Sequence, residues 1–329
     1  MVFFTGESYN QNYLADFKAN ATVIQLAPFV YRKNILRKLL INALIKKVNA
    51  QAKVTFSSNA RFYYELLPLF KRDIKKVDLV HAFVHEGEEG AEYFSLPVVH
   101  LLNERIVINN KTKADFKALY AKYGVEESLN SRIRCIYNKT DFPAAKPVKD
   151  ISGTLKVLYV GRDTFEKRVH LYAKVVEHFA GNSKLEFWAI GEGLSKFFTD
   201  CSNKALHLTG AIQNEEQLAG IYAASHILLL FSSREGLPMV IMEAQAHGMV
   251  CITTAVGGIA EIIADAENGF LINPAQTEEE IVADFIEKLT LLMQTPARIE
   301  TMGSKAFADA QNKFTAHHFV EGYREVFNL

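Results

Sequence analysis

Short apolar runs rich in Val, Ile and Phe alternate with helical patterns along the chain. This alternation restricts the possible folds more than any other feature of the sequence. It is typical of βαβ units, in which helices join parallel strands and cover the sheet. Residues 142–153 interrupt the series with two prolines, a glycine and mixed charge, which indicates a linker. The 329 residues are enough for a domain on each side of it. The sequence therefore predicts an α/β protein of two doubly wound domains.

The individual elements follow from the same patterns. The predicted strands before the linker are 2–6, 22–27, 53–58, 78–84, 96–101, 105–109 and 132–137, and the predicted helices are 33–49, 60–70 and 112–122. The strands after it are 155–161, 185–193, 205–211, 226–233, 249–254 and 269–274, with a helix at 167–180. We therefore place the first domain at 1–150, the second at 151–314 and a final amphipathic helix at 315–329.

The cysteines, the hydropathy and the first residues argue against a disulfide-rich, membrane-spanning or secreted protein. Cys135, Cys201 and Cys251 are isolated thiols, a pattern that favours a reducing compartment over a disulfide framework or a metal cluster. No apolar run approaches the ~18 residues of a membrane span. The first residues show no basic stretch followed by an apolar one, so we expect no secretory signal. The predicted location is the cytoplasm.

Charge is unevenly distributed. Residues 1–150 carry 23 Lys and Arg against 15 Asp and Glu, so the first part is basic and the remainder acidic. Residues 31–49 form a predicted basic amphipathic helix with apolar residues on one side. This helix either contacts the anionic inner face of a membrane or packs its apolar stripe on its own sheet, and both hold if only its charged edge faces the membrane.

The loop after the first strand of the second domain carries two cations. Gly161 ends the strand and permits a sharp turn, Arg162 follows in the loop, and Lys167 lies at the predicted start of a helix. Cations beside the free N–H groups of a helix N-terminus form a site for a diphosphate. The alternative is that both side chains are solvated surface charges.

A second loop and helix, residues 231–248, carry two carboxylates. Pro238 suits the first turn of the helix and Gly248 the position after its end, which places Glu235 in the loop and Glu243 on the second turn. Carboxylates accept hydrogen bonds from sugar hydroxyls. Glu243 lies among apolar residues, where a charge needs a partner, and this favours a functional role over an ordinary surface charge.

Glycine pairs follow two further strands. Gly257 and Gly258 would allow close backbone approach to a ligand, with a predicted helix from Ile259 offering its N–H groups to phosphate. Gly191 belongs to a GEG sequence at 191–193. Each glycine motif is weak alone, because turns use such pairs constantly.

Four segments of the second domain are more specific together than any one of them is alone. GRDTFEKR, EGLPMVIMEAQAHG, VGGIAEII and NGFLINP occur in that order, and the chain resembles the retaining glycosyltransferases of family 4, often called glycosyl transferases group 1. The spacing of Glu235 and Glu243 matches that family's Glu-x7-Glu motif. The resemblance is close over residues 153–329 and loose over residues 1–150.

The resemblance implies a GT-B fold, in which two Rossmann-like domains face a cleft and the final helix packs back on the first domain. It implies that Arg162 and Lys167 hold the donor diphosphate, that Glu235 binds the donor sugar and that Glu243 binds the ribose. The segment Gly236, Leu237 and Pro238 would add to donor binding through N–H groups after Gly236. The donor would be a UDP- or GDP-sugar, with no cofactor and no protein-bound metal.

The chain also departs from the family pattern. Arg168 stands where glycine is usual, and it would either crowd the phosphate loop or add a third cation. Family members often place a histidine that faces the donor sugar shortly after a Pro-Val-Val strand. Here His100 comes slightly early and is the candidate catalytic histidine, Asn103 stands nearer the expected place, and His81 and His85 are other candidates for the cleft. The first domain is short for the fold and has only Gly6 near its start, so it either lacks the first βα unit or is compact.

We therefore expect a retaining glycosyltransferase that extends a cell-envelope polysaccharide. Its acceptor would be a saccharide or lipid-linked sugar bound by the first domain, and no nucleic-acid partner is expected. Two alternatives stay open: a scaffold that binds nucleotide sugars without catalysis, and a GT-B sugar-nucleotide epimerase. An epimerase would change the donor sugar without an acceptor, and a scaffold would bind nucleotide without turnover.

Overall fold

The computed structural model describes residues 2–4, 14–30, 35–83, 90–199 and 201–328. Contacts divide the chain into two compact units: the first is Met1–Val107 with Ala114–Arg134, and the second is Ile108–Lys113 with Cys135–Leu329. The second unit thus also includes residues that precede our predicted boundary at residue 150. That boundary stays a prediction.

Parallel pairing dominates the first unit. Its strands are β1 (Val2–Phe4), β2 (Val23–Gln25), β3 (Val54–Ser58), β4 (Lys75–Val80), β5 (Glu104–Val107) and β6 (Ile133–Cys135), the last residue of β6 being counted with the second unit. Strands β1 and β2 pair in parallel, and β3-β4-β5-β6 form a separate sheet in which β3, β4 and β5 are parallel. The helices along this part are α1 (Leu14–Asn20), α2 (Ala27–Val30), α3 (Ile35–Gln51), α4 (Arg61–Leu66), α5 (Ala91–Ser95) and α6 (Asn110–Lys122).

One predicted strand of the first unit is wrong. Residues Leu96–Leu101 form a 3₁₀ helix, not a strand. Pro97 lacks the N–H that a strand would donate to its neighbour, and its fixed φ suits the first turn of a helix. A short continuous apolar run does not distinguish the two structures, because it has no period of its own. His85 and Gly6 lie outside the described residues.

The second unit is a doubly wound parallel sheet. Its strands are β7 (Leu155–Val160), β8 (Leu185–Ile190), β9 (Leu206–Gly210), β10 (Ile227–Leu230), β11 (Val250–Thr254) and β12 (Gly269–Ile272). They are ordered β12-β11-β10-β7-β8-β9, and each adjacent pair is parallel. In this Rossmann order the strands after β7 are added on one side, toward β9, and those from β10 onward on the other side, toward β12. Ligands bind beyond the carboxyl ends of the strands at such a reversal point.

Helices cover the sheet of the second unit, and aromatic rings fill part of its core. The helices are α7 (Val169–His178), α8 (Glu215–Ala224), α9 (Met239–Ala246), α10 (Glu278–Gln294), α11 (Ala297–Lys313) and α12 (Ala316–Phe327). Phe231 stacks on Phe285 of α10 with ring centroids 3.8 Å apart, and both rings are fully buried. Burying each such ring contributes ~1.5–3 kcal/mol, which fixes the strand end from which the β10 loop leaves.

Two predicted helices of the second unit differ from the structure in ways that bear on the site. The helix predicted at 167–180 begins at Val169, because Arg168 adopts a left-handed conformation with φ 44°. The helix predicted from Ile259 is only a 3₁₀ turn, Ile259–Glu261, so it is too short to act as a helix N-terminus for phosphate.

The predicted linker and the final helix both belong to the second unit as the structure has it. Residues 142–153 contain no helix or strand. The buried Lys149 ammonium donates to the carbonyl oxygens of Tyr222, Ala223 and Ser225, which are the free acceptors at the end of α8. In α12, Gly322 lies against Ile136. That the helix packs on the first domain stays a prediction.

Candidate active site

The loop after β7 passes close to its neighbours in the second unit. A Cβ on Gly161 would lie 2.8 Å from the Tyr159 hydroxyl oxygen, and a Cβ on Gly191 would lie 1.9 Å from the Gly161 carbonyl oxygen. The contact at Gly191 is with backbone, so this position requires glycine, whereas a side chain on Gly161 would have to displace the Tyr159 hydroxyl. Arg162 follows on the surface, and its side chain makes no hydrogen bond or ion pair with a described residue. An exposed guanidinium thus remains available at the carboxyl end of β7.

Lys167 and Glu235 are brought together across the reversal point of the sheet. The Lys167 ammonium donates to Glu235 Oε1 at 2.5 Å, and the Ser232 hydroxyl donates to the same oxygen at 2.6 Å. Both charged side chains keep some access to solvent, 16% for Lys167 and 12% for Glu235. Within the described structure, Glu235 Oε2 accepts no hydrogen bond and the ammonium has no second acceptor. The pair therefore has unused capacity for a ligand.

Glu243 lies eight residues later on α9 and has a neutral partner. The Tyr222 hydroxyl of α8 donates to Glu243 Oε2 at 2.7 Å. Burial raises the pKa of the Glu243 carboxyl above 4.5, and the hydrogen bond from Tyr222 opposes that rise. The sequence indicates that Glu243 needs a partner among its apolar neighbours, and the Tyr222 phenol is that partner.

The glycine loops after β10 and β11 interlock. Gly257 has φ 57°, and a Cβ there would lie 2.0 Å from the Glu235 carbonyl oxygen. The Gly258 N–H donates to the Gly236 carbonyl oxygen at 2.8 Å. Leu237 and Pro238 are buried beneath the start of α9. The predicted binding segments 235–238 and 257–258 thus form one backbone surface.

This surface has free backbone donors. The N–H groups of Gly236 and Leu237 have no hydrogen-bond acceptor among the described residues. Free N–H groups beside a helix start attract anions. The arrangement can therefore hold a negatively charged group near Lys167.

Arg168 neither crowds the loop nor adds a third free cation. Its Nε donates to the Phe231 carbonyl oxygen at 2.6 Å, and its Nη2 donates to the Ser232 carbonyl oxygen at 3.3 Å. Its left-handed backbone explains why glycine suits this position, since a side chain there is strained. The guanidinium stabilises the end of β10 instead.

The histidine candidates that the structure describes, His81 and His100, lie in the first unit. His100 is exposed on the 3₁₀ helix, and its carbonyl oxygen accepts from Arg132 Nη1 at 3.2 Å. The His81 Nε2 lies 3.0 Å from the Ser58 hydroxyl, and burial lowers the His81 pKa. The Asn103 side chain accepts the Lys76 N–H. A catalytic role for His100 stays a prediction.

Sequence reasoning missed four residues near these loops: Asn109, Tyr159, Tyr222 and Ser232. Ser232 and Tyr222 bind the two predicted carboxylates, and the buried Tyr159 hydroxyl lies under Gly161 without a hydrogen-bond partner in the described structure. Asn109 donates to the Gly236 carbonyl oxygen. The sequence signal for Ser232 was its position three residues before Glu235, but nothing marked the other three. Within the described residues no group of three or more His, Cys, Asp or Glu side chains is placed to hold a metal ion.

Comparison with known proteins gives consistent matches. The model of the family described as "Glycosyl transferases group 1" matches residues 141–306, half of the chain. The chain is 28% identical to a sulfoquinovosyl transferase of Arabidopsis thaliana over 211 residues, which is 62% of this chain and 38% of that protein. It is 26% identical over 269 residues to an N-acetyl-alpha-D-glucosaminyl L-malate synthase of Bacillus anthracis, which is 79% of this chain and 61% of that protein. The alignments thus span less than two thirds of either relative.

The fold matches solved structures over the whole chain. The Anabaena protein HepE, solved in complex with UDP, aligns with a TM-score of 0.73 at 16% identity, covering 100% of this chain and 92% of that one. The two parallel-sheet, Rossmann-like domains of the GT-B fold are therefore confirmed.

Proposed function

Because this chain belongs to the glycosyl transferases group 1, we propose that it is a retaining glycosyltransferase that moves a sugar from a nucleotide-sugar donor to a glycan or lipid-linked acceptor. One observation carries the proposal. A partly accessible cation–carboxylate pair, Lys167 and Glu235, lies at the reversal point of the sheet beside two N–H groups that have no acceptor among the described residues. The cation and the N–H groups match the negative charge of a nucleoside diphosphate, and the carboxylate matches the hydroxyl donors of its sugar.

The donor diphosphate supplies the acceptors that the loop lacks. Arg162 and Lys167 would bind its phosphate oxygens, together with the Gly236 and Leu237 N–H groups. As the bond from the sugar to the diphosphate breaks, negative charge grows on the leaving group, and preorganised donors stabilise it. These cations would do this without a bound metal, which makes metal independence part of the proposal.

The two carboxylates would bind different parts of the donor. When Lys167 turns to phosphate, Glu235 would accept hydrogen bonds from hydroxyls of the donor sugar, and its free Oε2 is available for the same purpose. Glu243, further along the chain on α9, would accept from the ribose hydroxyls. Retention of the anomeric configuration and a UDP- or GDP-sugar donor follow from the family resemblance.

We also propose that α3 brings the protein to an anionic membrane, where a lipid-linked acceptor for envelope polysaccharide would be met on the cytoplasmic side. Three apolar residues at its start are exposed, Ile35 by 71%, Leu36 by 56% and Leu39 by 59%. The same helix has exposed Lys38, Lys46 and Lys47 and no acidic residue. Each basic residue near an anionic surface contributes ~1 kcal/mol. Its last turns instead bury Leu44 and Val48.

No helix among the described residues is long and apolar enough to cross a membrane. Co-sedimentation with vesicles tests the contact. Vesicles with anionic lipid should retain the protein more strongly than zwitterionic ones, and Leu36→Ser with Leu39→Ser should lower retention on the anionic vesicles. Equal retention of wild type and the double variant would contradict the contact.

Donor binding and slow hydrolysis across a panel of nucleotide sugars, with EDTA present, test the main proposal. We expect one donor to bind and react, Glu235→Ala and Arg162→Ala to abolish the reaction, and Lys174→Ala, at a surface pair with Glu279, to leave it unchanged. With acceptor present, NMR of the product should show the donor's anomeric configuration. Sugar epimerisation without acceptor, or binding without any turnover, would contradict it.

A further inference from the structure

We infer that Asn109, far from the donor motifs in sequence, is a positioning residue that sets the orientation of the Gly236–Leu237 peptide for diphosphate binding. The inference rests on the proposed donor function. Asn109 belongs to the short segment Ile108–Lys113 that the structure counts with the second unit. Its side chain is fully buried, so its polar atoms need partners inside the protein.

Each end of the Asn109 amide makes one short hydrogen bond. Nδ2 donates to the Gly236 carbonyl oxygen at 2.9 Å, and Oδ1 accepts the Thr112 N–H at 2.6 Å. The second bond is an N-cap of α6, since Thr112 is the third residue of that helix. The side chain thus has two separable tasks.

The Gly236 carbonyl receives two donors, Asn109 Nδ2 and the Gly258 N–H. In a trans peptide the carbonyl oxygen and the following N–H point in opposite directions. Holding the Gly236 oxygen toward Asn109 and Gly258 therefore directs the Leu237 N–H to the other side, where it has no acceptor in the described structure.

Gly258 must be glycine for this arrangement. A Cβ there would lie 2.7 Å from Asn109 Cβ, closer than side chains approach. The lack of a side chain lets the Asn109 amide reach Gly236 while the Gly258 N–H bonds to the same oxygen. Asn109 and Gly258 together therefore restrain one peptide plane.

The two tasks can be separated by substitution. Asn109→Ser and Asn109→Asp both keep a side-chain oxygen that caps α6, but the serine hydroxyl is one bond too short to reach Gly236 and the ionised aspartate has no hydrogen to donate to it. The serine variant adds no charge, and the aspartate variant retains the length of the side chain. A matched control is Asn268→Ser: Asn268 is also buried, accepts the Ala264 N–H and donates to the Ile262 carbonyl oxygen.

The experiment measures binding of UDP, GDP and the nucleosides uridine and guanosine by titration, with thermal unfolding of each ligand-free variant. For the nucleotide that binds wild type, both Asn109 variants should bind about tenfold more weakly, the loss expected for one hydrogen-bonded restraint. Binding of its nucleoside should change less than about twofold. With donor and acceptor, kcat should fall more than KM rises, because the N–H is aimed at charge that grows on the leaving group.

Asn268→Ser should lower thermal stability without changing the preference for diphosphate over nucleoside. An equal loss for nucleoside and diphosphate, or unchanged diphosphate binding in both Asn109 variants, would overturn the inference while leaving the donor function in place. If wild type binds neither UDP nor GDP, the proposed function itself fails, and the inference with it.

Discussion

Two ion pairs of this protein, one in each unit, are similarly short but differ in how completely their atoms are satisfied. In the first unit, Arg105 donates to Asp78 at 2.6 Å, and both side chains are almost completely buried. The Tyr64 hydroxyl also donates to Asp78 Oδ2. Arg105 also donates to the Tyr120 hydroxyl, and its guanidinium lies 4.3 Å from the ring centre of Phe116. This pair is closed to ligands.

The pair of the second unit, Lys167 and Glu235, is open. Its carboxylate keeps one free oxygen and its ammonium has a single acceptor among the described residues. A saturated pair stabilises a fold, whereas a pair with remaining capacity can exchange its partner for a ligand. Saturation of hydrogen bonds, more than the distance between charges, therefore distinguishes the structural pair from the candidate catalytic one.

The largest expected effect is on the closed pair. Arg105→Met should lower the free energy of unfolding of the first unit by about 3–5 kcal/mol, because it leaves the Asp78 carboxylate buried without a counter-charge. Urea denaturation measures this. The double variant with Asp78→Leu should recover part of the loss, and a single variant as stable as wild type would break the comparison.

The open pair should respond in the opposite way. Under the proposed function, Lys167→Met should lower kcat by about 10²–10³-fold, since it removes the cation proposed to stabilise the leaving group. Its free energy of unfolding should change by about 1 kcal/mol or less, because Glu235 keeps Ser232 and access to water. Steady-state kinetics with thermal unfolding tests both parts; a large loss of stability with normal turnover would reverse the assignment.

The sequence predicted the open pair's surroundings better than the closed pair. Strand ends and the Glu235–Glu243 spacing bring the loops after β7 and β10 together, because parallel strands deliver their loops to one edge. Asn109 could not be predicted, since its bond to Gly236 joins segments distant in sequence. The strand predicted at 96–101 is wrong because its apolar run has no period. The helix predicted from Lys167 begins two residues later because the Arg168 backbone is left-handed.

Glu243 can be compared with the carboxylates of both ion pairs, because its partner is a neutral phenol and not a cation. Burial raises its pKa, so it protonates at a higher pH than an exposed glutamate and nucleotide affinity should fall as pH is lowered through that range. Glu243→Gln should weaken nucleotide binding at pH 7 and remove this pH dependence. Titrations of nucleotide at a series of pH values, from the ordinary glutamate pKa of 4.5 up to neutrality, measure it.

The same shift has a consequence for stability. A raised pKa in the folded state means that stability from this group is present at low pH and is lost as pH rises through the folded pKa. Glu243→Gln should therefore raise the thermal stability of the ligand-free protein at pH 7. A variant that is less stable, with unchanged nucleotide affinity, would show that Glu243 is a structural residue.

The smallest effect concerns Arg168. Arg168→Gly should be more stable than Arg168→Ala by about 1 kcal/mol, because only the alanine keeps a Cβ in the left-handed conformation. Both should turn over donor at near the wild-type rate, since the guanidinium binds carbonyl oxygens of the β10 loop. Turnover as low as that of Lys167→Met would instead place Arg168 among the cations proposed to bind the donor.

The most direct test of the central claim is calorimetric titration of UDP and GDP into wild type, Lys167→Met and Lys174→Met, with EDTA present. The open pair predicts that wild type and Lys174→Met bind one nucleotide with equal affinity and that Lys167→Met binds it at least about tenfold more weakly. Equal affinity of all three proteins, or no binding by wild type, would contradict the claim that this pair receives the donor diphosphate.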